Sequence, residues 1–107
     1  MSKNILHIPS LSYFNDDWNI LQNFLKHRGN PPFHIDGDLD LRNTSIKDLG
    51  NLTSVGGDLN LFGTPIKSFG NLKSVGGGLE LRRTPISKKY TEKKIRQMVN
   101  VEGKIFI

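Results

Sequence analysis

The chain has 107 residues, with 15 Lys and Arg against 10 Asp and Glu, three His and no Cys, giving a formal net charge of +5 and a pI near 9.7. This length holds one small packed domain and excludes a large multi-part enzyme, while zero cysteine excludes a disulfide framework, a thiolate metal site and a Cys nucleophile. No apolar run approaches the roughly 18 residues needed to span a bilayer, and residues 1–12 lack the apolar core of a signal peptide, so a soluble, cytoplasmic protein is expected.

Residues 5–8, ahead of Pro9, suit a short extended segment. From Asp16 or Asp17 onward, Trp18, Leu21, Phe24 and Leu25 fall on one helical stripe, with Phe14 one turn earlier, and Gly29 supplies a stop before Asn30-Pro31-Pro32. This spacing predicts an amphipathic helix. Standing directly before a repeat, it is best explained as a cap over the apolar end of the first unit, so that residues 1–32 form a helical cap and residues 33–107 the repeat of a single domain. Trp18 and Phe24 are then core residues; the alternative is a helix that presents both rings to a partner.

The repeat is carried by Gly37-Asp38-Leu39-Asp40-Leu41, Gly57-Asp58-Leu59-Asn60-Leu61 and Gly77-Gly78-Leu79-Glu80-Leu81, at a spacing of twenty residues. Further columns follow: Thr44, Thr64 and Thr84; Ile46, Ile66 and Ile86; Leu49 with Phe69; Leu52 with Leu72; Val55 with Val75. Each unit offers a five-residue alternating segment suited to a strand, a Thr-Pro or Thr-Ser step, a Gly-Asn turn and a Gly-Gly corner. One unit cannot close a core by itself. Stacked units would pair like strands in parallel at about 4.8 Å and bury the Leu, Ile and Val columns, which describes a solenoid. The Thr column is expected at an inward corner, bonded to backbone groups, against the alternative of ordinary surface turns.

A fourth unit, Val101 with Gly103-Lys104-Ile105-Phe106-Ile107, comes late, its Gly falling 26 residues after Gly77. The six extra residues lie between Ile86 and Val101, where Thr91 suits an N-cap and Ile95, Met98 and Val99 follow helical spacing, predicting a short helix over about residues 91–100. The expected fold class is therefore α/β: an N-terminal helix, about four parallel strands, and a helix inserted before the last strand.

The frame Leu59-Asn60-Leu61-Phe62-Gly63-Thr64-Pro65-Ile66 resembles that of the leucine-rich repeats, with Thr in the position usually held by Asn or Cys. Over residues 33–107 the chain is similar to the small repeat proteins of tailed phages and bacteria. It departs from the family in its Gly-Gly corners and in the Thr. The resemblance implies binding of other proteins through the strand face, and a phage or bacterial accessory factor that modulates a cellular protein in the host cytoplasm; it implies no chemistry.

Motifs for chemistry fail on inspection. Asp36-Gly37-Asp38-Leu39-Asp40 opens like a calcium loop, but Leu41 stands where Gly is required and Lys47 where the bidentate Glu belongs. Gly76-Gly77-Gly78 lacks the rest of a phosphate loop, His7, His27 and His34 share no ligand spacing, and no nucleophile elbow or acid and base pair stands out. The sequons at Asn43 and Asn51 carry no weight without a secretory signal. The chain is expected to be no enzyme and to need no cofactor or metal.

Three surfaces remain. Alternation turns Asp40, Asn60, Glu80 and Phe106, with Arg42, Phe62 and Arg82, to one strand face, a mixture of Arg, aromatic and carboxylate that suits a protein partner as well as an ordinary solvated sheet. Arg83, Lys88, Lys89, Lys93, Lys94 and Arg96, with Tyr90 among them, form a basic segment that would attract the phosphates of nucleic acid, or is simply a solvated face. The β-prone Ile105-Phe106-Ile107 is an edge at which a second copy docks to give a homodimer, or a partner adds a strand, unless the inserted helix covers it.

Overall fold

The structure is a computed structural model that describes residues 5–107; residues 1–4, the start of the segment read above for a leader, lie outside it. Its strands are very short: β1 (Leu6–Ile8), β2 (Phe33–Ile35), β3 (Leu39–Asp40), β4 (Leu52–Val55), β5 (Leu59–Asn60), β6 (Ser74–Val75), β7 (Leu79–Glu80), β8 (Asn100–Val101) and β9 (Ile105–Phe106). They form two sheets with every pairing parallel, the first in the order β1-β2-β4-β6-β8 and the second β3-β5-β7-β9. Where one strand per unit is expected, each unit thus gives two, one to each sheet. The five-residue segment is not a single strand, because only its Leu-x pair stays in the ladder before the chain turns.

Registers follow the repeat. Leu39 pairs with Leu59, Leu59 with Leu79 and Leu79 with Ile105 in the second sheet. Ile35 pairs with Val55, Val55 with Val75 and Val75 with Val101 in the first. These inward columns are fully or almost fully buried, as are Leu41, Leu61, Leu81, Leu49, Phe69, Ile66, Ile86 and Ile95. Parallel pairing of two-residue strands supplies few hydrogen bonds, so the shared apolar interior is the main stabilising element.

The Gly corners join the sheets. The amides of Gly57, Gly77 and Gly103 donate to the carbonyls of Gly37, Gly57 and Gly77 at 3.0, 2.9 and 2.9 Å, which continues the ladder around the bend. Successive backbones approach so closely that a Cβ on Gly56 would collide with the Asp36 carbonyl, and one on Gly76 with the Gly56 carbonyl. Beside the corner, Asp38 Oδ1 accepts from the Asp58 amide and Asp58 Oδ1 from the Gly78 amide, both at 2.7 Å. These two carboxylates therefore tie each unit to the next. At the opposite corner Thr44, Thr64 and Thr84 donate to the carbonyls of Leu41, Leu61 and Leu81 at 2.7, 2.8 and 2.6 Å. Thr64 and Thr84 are buried while Thr44, in the first of these units, is exposed, so the inward reading holds only where a neighbour covers the hydroxyl.

After a single 3-10 turn (Leu11–Phe14), helix α1 (Trp18–Lys26) begins at Asp17, whose Oδ1 accepts from the Asn19 and Ile20 amides at 2.8 and 3.3 Å. Trp18, Leu21 and Leu25 are buried, and the Trp18 ring lies 6.0 Å from that of Phe33; Phe24 is half-buried, with Arg28 over its ring at 4.4 Å. Where one insertion helix is expected there are two. Helix α2 (Pro85–Lys89) starts on a capping box between Thr84 and Ser87, and α3 (Glu92–Met98) starts on Thr91. Pro85 at the first helical position is pre-shaped for a helix, a signal that the turn reading of Thr84-Pro85 overlooked. Among the described residues, no helix is long and apolar enough to cross a membrane.

Candidate interaction surfaces

The outward column of the second sheet is Asp40, Asn60, Glu80 and Phe106, adjacent in register. Asp40 Oδ1, Asn60 Oδ1 and Glu80 Oε2 accept from the amides two residues on, those of Arg42, Phe62 and Arg82, at 3.2, 3.0 and 2.8 Å. Each outward side chain thereby closes the turn that ends its own strand and sets the direction of the residue beyond it. The next position is left-handed in these three units, with φ of 59° at Asn43, 71° at Gly63 and 61° at Arg83.

This geometry gathers the seven residues expected on the strand face. Arg42 pairs with Asp40 at 3.2 Å, and Arg82 grips the Glu80 carboxylate through Nε at 3.0 and 3.1 Å. Those charge-assisted hydrogen bonds from Arg82 hold the Glu80 carboxyl below its usual range, outweighing the opposing effect of its burial. The Arg82 guanidinium also lies 5.5 Å from the centre of the Phe106 ring, and Arg83 lies 5.7 Å from that of Phe62. Arginines and aromatics thus interleave on one side of the sheet, with Arg82 over the Phe106 ring and Arg83 over the Phe62 ring.

The basic segment divides by role. Arg83 belongs to the Phe62 stack rather than to the helices. Arg96 is held: Nε donates to Glu92 Oε2 at 3.1 Å, Nη1 to the Val101 carbonyl at 2.8 Å and Nη2 to the Gly103 carbonyl at 2.9 Å. Since the Asn100 and Glu102 amides point back to the preceding unit, the Val101 carbonyl faces the open side of β8, and Arg96 covers that edge. Lys88, Lys89, Lys93 and Lys94 are exposed, and among the described residues none is paired with a carboxylate. Lys89 lies 5.3 Å from the centre of the Tyr90 ring. At β9, Phe106 and Ile107 are 43% and 45% exposed, so this end of the second sheet keeps an apolar rim.

The first sheet holds a constellation that sequence spacing missed. His7 pairs in register with His34, their rings 5.1 Å apart, and Asp36 lies against both. Twenty-six residues, including a helix, separate the two histidines, so no ligand spacing is visible; the available signal is the shared pattern Leu6-His7-Ile8 and Phe33-His34-Ile35. His27 stands apart, its Nδ1 2.8 Å from the Asn23 carbonyl.

Comparison with family models, with curated proteins and with solved structures gives no match to this chain.

Proposed function

We propose that the chain is a short leucine-rich-repeat-like solenoid, capped by α1, that works as a non-catalytic protein-binding module through the outward face of the second sheet. The observation that carries this reading is the interleaved row of Arg42, Phe62, Arg82, Arg83 and Phe106 beside the in-register column Asp40, Asn60 and Glu80. Arg and aromatic side chains held in place by neighbours lose little freedom on binding, and carboxylates among them select the partner's charge. With the resemblance to phage and bacterial repeat proteins, the partner is a cellular protein that the chain modulates in the cytoplasm. A pull-down from bacterial lysate tests it: the wild type retains a specific protein that an Arg42→Ala/Phe62→Ala/Arg82→Ala variant, still folded by circular dichroism, releases. Equal retention by both baits sinks the assignment to this face.

One observation favours a second reading. The four lysines of α2 and α3, which have no carboxylate partner among the described residues, would serve as phosphate contacts, making the chain a nucleic-acid binder. Retention on a DNA or RNA column that falls steeply with salt, and falls further on changing Lys88, Lys89, Lys93 and Lys94 to Ala, would establish it over the protein-binding reading. A homodimer formed along β9 predicts twice the chain mass by light scattering and a monomer after Phe106→Asp.

A further inference from the structure

Strands β1 and β2 carry the same apolar-His-apolar pattern and pair in parallel, so alternation buries Ile8, Phe33 and Ile35 and turns both imidazoles outward on one face. Asp36, one residue past β2, brings its carboxylate to the same point. Its Oδ1 lies 3.3 Å from His7 Nδ1 and 3.3 Å from His34 Nε2. The three donor atoms all fall within 4.8 Å of one another. His34 makes a close contact through its other nitrogen, Nδ1, to Ser54 Oγ on β4.

We propose that His7, His34 and Asp36 form a binding site for a divalent transition-metal ion of the Zn2+ type. Ligands about 2.0 to 2.1 Å from a tetrahedral zinc stand about 3.3 Å from one another, which two of the three donor separations already match. Two imidazole nitrogens with one carboxylate oxygen suit Zn2+, Ni2+, Co2+ or Cu2+ and disfavour Mg2+ and Ca2+, which take oxygen donors. Ser54 supplies the outer partner that such a site requires: with Nδ1–H donating to the serine hydroxyl, the lone pair of His34 is on Nε2 and points at the shared locus. In that tautomer the lone pair faces a carboxylate oxygen, a repulsive pairing that a cation between them turns into an attraction. His7 and Asp36 are half or more exposed at their side chains, 66% and 50%, which leaves the remaining coordination positions to water. The ion would clamp β1 onto β2 and onto the first corner.

Titration of the full chain with ZnCl2 by calorimetry, with imidazole signals followed by NMR, tests the site. One ion is expected per chain, with the His7 and His34 signals shifting and that of His27 unmoved. His34→Ala and Asp36→Ala should weaken binding by more than the about 10- to 100-fold expected of Ser54→Ala, and MgCl2 should give no heat. Zn2+ should also raise the thermal midpoint of the wild type and not that of His34→Ala, since an ion that binds only the folded chain stabilises it. Should His34→Ala not fold, the well-exposed His7→Ala replaces it. Absence of binding by the wild type, or affinity unchanged in these variants, overturns the proposal.

Discussion

The two sheets obey one rule and present different chemistry. In both, parallel pairing sets corresponding residues of successive units side by side, and in both the inward column is aliphatic: Ile35, Val55, Val75 and Val101 in the first, Leu39, Leu59, Leu79 and Ile105 in the second. Their outward columns diverge. The second sheet pairs its charges within single units, Asp40 with Arg42 and Glu80 with Arg82, leaving guanidinium and aromatic surface. The first joins its polar groups between units, through His7, His34, Asp36 and Ser54. A column therefore creates contacts that no motif within a unit encodes: register decides which residues meet, and residue type decides what they do.

The two sheets depend on each other most at the glycine corner that links them. Gly76→Val should destabilise both together, by about 3 kcal/mol or more, because its side chain meets the backbone carbonyl of Gly56, which cannot move aside as a flexible side chain would. Urea unfolding measures the loss; a change below about 1 kcal/mol would mean that the units do not approach so closely. Next come Leu52→Ala in the first sheet and Leu59→Ala in the second, both fully buried, each expected to cost about 2–5 kcal/mol by the same measurement. A marked difference between them would show that the sheets share the core unequally.

A smaller effect separates units by position. Thr64→Val leaves the buried Leu61 carbonyl without its hydroxyl donor and should cost about 1–2 kcal/mol, against about 0.5 kcal/mol or less for Thr44→Val, whose site is open to water. The smallest effect sharpens the outward contrast. Because the Glu80 carboxyl titrates below its ordinary value of 4.5 in the folded chain, the unfolded chain binds the proton more readily. Its contribution is present at neutral pH and is lost as pH falls through the folded value. Glu80→Gln should flatten the acid limb of a stability-against-pH curve from pH 7 to about pH 3, and an unchanged limb would count against the Arg82 clamp.

What could be read from the residues was the part with a constant period. The columns at Leu39, Leu59 and Leu79 and at Val55 and Val75 are inward as their recurrence implies. The division into two sheets was not legible, because strands of two residues are too short to show alternation. Where β4 pairs with β2 the register slips opposite Phe33 and His34, so that Thr53 and Ser54 both lie between buried Leu52 and Val55 and erase the period. Strand β1 was foreseen only as an extended segment, since α1 separates it from its partner and breaks the repeat interval. The strand-face residues follow from alternation alone, whereas the role of Arg96 at the β8 edge and the meeting of His7 with His34 depend on how separate segments pack.

Both proposed sites depend on corresponding side chains of neighbouring parallel strands standing next to each other. The chain has no cysteine, so an Asn60→Cys/Glu80→Cys variant reads this directly. In-register parallel neighbours about 4.8 Å apart lie within the span a disulfide bridges. Mild oxidation of the monomer is predicted to close that bond quantitatively, detected as the loss of both free thiols with no change of mass class. Thiols that stay free, or that cross-link only between molecules, would contradict the stacking on which the account rests.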